Sequence, residues 1–68
     1  MTFQLLDVVV LARDRPADGL MAGDLGTVVD IHAPDSIAVE FVSPSGRTRA
    51  LLMLQPSDIR EAGSSYFG

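Results

Sequence analysis

The chain has 68 residues, no cysteine, and nine acidic residues against five basic ones, for a net charge of −4. That length fits one domain whose core is worth only roughly 3–5 kcal/mol. The missing cysteines exclude disulfides and thiolate metal sites, and the negative charge argues against a nucleic-acid partner.

The N-terminus, Met1-Thr2-Phe3-Gln4-Leu5-Leu6, lacks the basic start and small-residue cleavage site of a secretory signal. The first apolar run, Val8 to Ala12, is as short as the later run Ala50 to Leu54; both fall far below the roughly 20 residues of a membrane span. A cytoplasmic protein with no membrane partner is the expectation. Three consecutive valines mark Leu6 to Ala12 as the first strand, because β-branched side chains are stiff and suit a pleated surface.

Arg13 to Gly23, rich in charge and carrying Pro16 and Gly19, reads as a long loop. Leu20 and Met21 within it are expected to tuck back onto the core. Asp24-Leu25-Gly26 turns the chain into a second strand, Thr27 to Ile31, and His32 to Ser36 makes the next turn. The third strand, Ile37 to Val42, alternates, with Ile37, Val39 and Phe41 on one face and Ala38 and Glu40 on the other. Ser43-Pro44-Ser45-Gly46 closes a tight hairpin. A fourth strand follows from about Arg47 to Leu54, then a 3₁₀ turn over Gln55 to Asp58 and a short strand, Ile59 to Glu61.

These elements describe an all-β fold, a small five-stranded SH3-like barrel with a 3₁₀ turn before the last strand. The domain is expected over residues 1–61, with a flexible C-terminal tail over 62–68. The core is predicted to be Val9, Leu11, Leu25, Val29, Ile31, Val39, Phe41, Leu52, Leu54 and Ile59. The face taken by Val28 and Val29 stays open, since a bulge near Gly26 swaps the register.

Several segments resemble one known family. They are Leu6 to Leu11, Gly19 to Val29, Val39-Glu40-Phe41-Val42, Gly46-Arg47-Thr48 and Ala50-Leu51-Leu52. In the order and spacing of these elements the chain is similar, over about residues 5 to 61, to a family of short bacterial proteins known only as domain of unknown function 4926. The resemblance implies the SH3-like fold and transfers no catalytic residue. It implies a small partner of a larger neighbouring protein, in the manner of an antitoxin or immunity protein. Gly26-Thr27-Val28 also resembles the glycine-containing motif of ribosomal and transcription-factor SH3-like domains.

No residue set specifies a reaction, and the chain is read as a non-enzyme that uses no cofactor. His32 is the only histidine and has no nucleophile signature beside it. Asp30, His32 and Asp35 are three scattered potential ligands without a fourth, so no metal site is assigned. Asp7, Asp14, Asp18 and Asp24 lie in or beside the long loop, where aspartate caps turns. Gly23 and Gly26 lack the lysine and the following helix of a phosphate loop. Recognition of proline-rich peptides needs loop aromatics, yet there is no tryptophan and the one tyrosine, Tyr66, is in the tail.

Binding to an unknown protein partner, or self-association, is the reading that survives. All five basic residues, Arg13, Arg15, Arg47, Arg49 and Arg60, are arginine; composition bias is the simple cause, and the rigid guanidinium also suits interfaces. If Leu52 and Leu54 point inward, alternation sends Leu51 and Met53 outward, and the same logic sends Val8 and Val10 outward on strand one. Val8, Val10, Leu51 and Met53, rimmed by Arg47 and Arg49, are therefore the predicted partner-binding residues. The competing expectation is that Phe3-Gln4-Leu5, or Tyr66 and Phe67, cover this patch. The alternatives to an adaptor or regulator are an RNA- or ribosome-associated domain and an accessory subunit of a larger enzyme.

Overall fold

A computed structural model describes residues 3–32, 34–42 and 47–62. The described residues form five strands: β1 (Val8–Leu11), β2 (Leu25–His32), β3 (Ser36–Val42), β4 (Thr48–Leu54) and β5 (Ile59–Glu61). They form one antiparallel sheet in the order β4-β3-β2-β1-β5. The 3₁₀ turn before β5 lies at Pro56–Asp58, as expected, and a second one at Pro16–Asp18 interrupts the long loop. β4 and β5 are the two edges, with no pairing between them, so the sheet is open and the expected barrel closure is not seen. The hairpin at 43–46 and all of the expected tail but Ala62 lie outside the described residues.

The inner face is set where β2 meets β3. Gly26 is buried opposite Phe41, and a β-carbon at position 26 would stand 2.7 Å from Val39 Cγ1 and 2.8 Å from Phe41 Cε1. Only glycine lets the Phe41 ring settle onto the neighbouring backbone. Two residues on, Val28 is buried opposite Val39. The register then shifts between Val28 and Asp30, leaving Val29 as the extra residue of a bulge. This corrects the predicted core. Leu25 and Val29 are exposed because Gly26 and Val28 hold the inner positions. Ile31 returns to the inner face opposite Ile37 but lies at its rim and stays partly exposed.

The core comprises Phe3, Val9, Leu11, Leu20, Val28, Ile37, Val39, Phe41, Leu54 and Ile59, with Ala50 and Leu52 packed against it. Leu20 tucks in as expected. Met21 does not, because it opens a turn whose geometry turns it to solvent. Phe3 enters the core beside Ile31, Ile37 and Pro56, and so does not cover the outer face. Ala62, read as tail, is buried and its N–H donates to the Val8 carbonyl at 3.1 Å, extending the β5–β1 ladder.

Aspartates close the turns. The N–H groups of Gln4, Met21 and Gln55 donate to the carboxylates of Asp7, Asp24 and Asp58, at 2.9, 2.9 and 3.1 Å. In each case the aspartate N–H donates back to the carbonyl three residues earlier. Asp14 accepts from Ala22 N–H at 2.9 Å, tying the two limbs of the long loop, and Asp18 pairs with Arg15 at 3.4 Å. In the first of these turns Leu6 has φ 72°, a left-handed conformation worth roughly 1–2 kcal/mol of strain for a side chain with a β-carbon.

Gly26→Ala is expected to destabilise the domain by roughly 1–3 kcal/mol, as overpacking does, measured by urea denaturation. An unchanged midpoint would contradict the close packing of Phe41 on Gly26.

Candidate functional site: the outer face of the sheet

Alternation on β3 and β4 fixes which side chains leave the core. Ile37, Val39 and Phe41 pair with Leu54, Leu52 and Ala50 on the inner face, while Ala38 and Glu40 pair with Met53 and Leu51 on the other. Leu51 is 62% exposed and Met53 55%. Sequence alternation placed both outward, and there they stand.

The other predicted residues are distributed differently. Val8 is on the outer face and half-buried, but it shares a cross-sheet row with Leu51 only through Thr27 and Glu40. Three strand spacings of about 4.8 Å separate them, roughly 14 Å in all. Val10 is only 6% exposed, which corrects its assignment to the contact surface. β1 is an interior strand flanked by β2 and β5, and Val10 lies between Leu25 and Arg60, its partners on those strands. Arg47 is exposed just before β4. Arg49 falls where the β3–β4 register shifts, between the pairs Phe41–Ala50 and Val42–Thr48.

Leu25 and Val42 belong to the outer face and were missed. With Val8, Thr27 and Glu40 they line a shallow groove of about 180 Å³. Leu25 was hidden by the bulge at Val29: counting in twos back from Ile31 crosses the shift and lands on the wrong face. Val42 was visible in principle, since it is one residue past Phe41. The outer face thus carries two apolar zones, the groove at Val8, Leu25 and Val42 and the pair Leu51 and Met53. Thr27 and Glu40 lie between them.

The single histidine closes β2 rather than sitting in a turn. His32 Nε2 lies 3.0 Å from Asp30 Oδ2, and both side chains are exposed. A contact between two such exposed side chains adds little to stability. Asp35 does not join them: among the described residues no three histidine or acidic side chains gather as a metal site. No charged or polar residue among them is buried. Among the described residues no helix is long and apolar enough to cross a membrane.

The described residues form a small all-β domain of one five-stranded antiparallel sheet. The chain belongs to the family described as a domain of unknown function, DUF4926, which matches residues 5–61. Comparison with curated proteins and with solved structures gave no match.

Burial separates the two kinds of outer-face residue experimentally. Val10→Ala should lower stability by roughly 1.5 kcal/mol, at about 0.8 kcal/mol per buried carbon removed. Leu51→Gln and Met53→Gln should each stay within about 0.5 kcal/mol of the wild type. Thermal and urea denaturation of the three variants would check this; comparable losses at all three positions would contradict the assignment.

Proposed function

We propose that this chain is a non-catalytic protein-binding module of SH3-like design, a small bacterial adaptor or regulator that engages its partner through the outer face of the sheet. The observation that carries this reading is the exposure of Leu51 and Met53 side by side on β4. Large apolar side chains on the wet face of so small a domain favour a covering partner. The neighbouring groove at Val8, Leu25 and Val42 offers a second foothold, and Glu40 between the two favours a partner that presents a basic side chain among apolar ones.

The SH3-like reading rests on the strand order β4-β3-β2-β1-β5, the long loop between β1 and β2, and the 3₁₀ turn leading into β5. An immunity- or antitoxin-like role in the cytoplasm, with the partner a larger protein, is the most concrete form of the proposal.

Affinity purification of the tagged chain from its native host, compared with a Leu51→Glu/Met53→Lys variant, tests the proposal. A protein retained by the wild type and depleted at least tenfold by the variant, on the order of 1.4 kcal/mol of binding energy, is the expected result. A nuclease-like protein in that role would support the immunity form, and ribosomal proteins the RNA-associated alternative. Equal recovery of every co-purifying protein would overturn the use of this face.

A further inference from the structure

The two edges of the sheet are built differently. β5 is three residues long and displays exposed Arg60 and Glu61, a short, charged edge of the kind that discourages further pairing. β4 is seven residues long and, among the described residues, pairs with β3 alone. Its interruption is at one end, where the register shifts at Arg49; from Ala50 to Leu54 it has no charge, proline, glycine or bulge. Those five residues themselves carry none of the charges, prolines or bulges that keep sheet edges from meeting. The edge lies at the border of the exposed Leu51 and Met53.

We propose that this edge pairs with the same edge of a second copy of the chain, antiparallel about a two-fold axis at Leu52, joining two sheets into one of ten strands. The self-complementarity of β4 chooses this occupant. With Leu52 opposite itself, Leu51 of each copy falls opposite Met53 of the other, so both exposed apolar residues gain a cross-strand neighbour on the same face. Ala50 falls opposite Leu54 on the inner side, a small residue against a large one. Arg49 falls at the register position of Gln55, so the two arginine positions lie at opposite ends of the pairing and not opposite one another. An isologous contact closes on itself, giving a dimer and no fibre.

Five residues span only about 17 Å, too short an edge to bury the roughly 800 Å² per partner of a standard stable interface. The dimer is therefore weak and concentration-dependent. The pairing goes beyond the reading above in naming the edge, the register and the occupant. The purified chain alone decides it, so its failure is distinguishable from the failure of the foreign-partner reading.

Sedimentation equilibrium of the purified chain from about 10 μM to about 1 mM, the range of weak complexes, should show the mass rising from monomer towards dimer. Met53→Lys, which places a like-charged pair of edges together, should stay monomeric over the same range while circular dichroism shows it folded. Because the chain has no cysteine, register is read by oxidative cross-linking. A mixture of Leu51→Cys and Met53→Cys chains should cross-link at least about tenfold faster than either alone. A wild type that is monomeric throughout, or a Met53→Lys chain that dimerises equally well, would overturn the proposal. Cross-linking of the mixture no faster than of the single variants would overturn the register.

Discussion

The close approach of the Phe41 ring to the backbone of Gly26 governs the rest of this domain. It brings β2 and β3 into a register in which Gly26 and Val28 face inward, opposite Phe41 and Val39. That register in turn obliges β2 to shed one residue before it can finish against Ile37, and Val29 is the residue displaced. From this one contact follow the exposure of Leu25 and Val29 and the outward direction of Glu40. On β4 it decides that Ala50, Leu52 and Leu54 serve the core while Leu51 and Met53 do not. A side chain at position 26 would press on two buried neighbours at once, and a core this small has few other contacts to absorb the change.

How well the sequence could be read varied with the regularity of each strand. β3 and β4 have intact period-2 alternation over most of their length, and both the inner residues Ile37, Val39 and Phe41 and the outer Leu51 and Met53 were legible from it. The 3₁₀ turn at Pro56–Asp58 and the strand Ile59–Glu61 were legible because proline and aspartate punctuate the chain there. The turn-capping use of Asp7, Asp14 and Asp24 was legible for the same chemical reason. β2 was not, because a bulge leaves no residue signature of its own and reverses the parity of everything beyond it. Val10 misled differently: alternation gives a side chain's direction, not how far its neighbours cover it, and Val10 is buried although it takes the outer face. Phe3 was missed because it reaches the core from an irregular segment, to which periodicity does not apply.

The same logic divides the candidate site. Its β4 half was visible in the sequence; its groove half, Leu25 and Val42 with Val8, needed the register. Family membership supplies order and extent over residues 5–61 and no site. Strand parity thus sets the exposed surface: apolar residues lie on both sides of Glu40, and β4 forms an edge among the described residues. Asp7, Asp24 and Asp58 are engaged in holding the connections, each turn closed by a carboxylate over a backbone N–H.

The parity of β2 is the central claim, and the absence of native cysteine makes it directly measurable. Val28→Cys and Val29→Cys variants would be exposed to a thiol reagent under native conditions and their labelling rates compared with those of the unfolded chains. The account predicts that position 29 reacts within about tenfold of its unfolded rate, while position 28 is protected by a factor on the order of 10³, set by opening of the core. Equal rates, or protection of position 29 instead of 28, would contradict it.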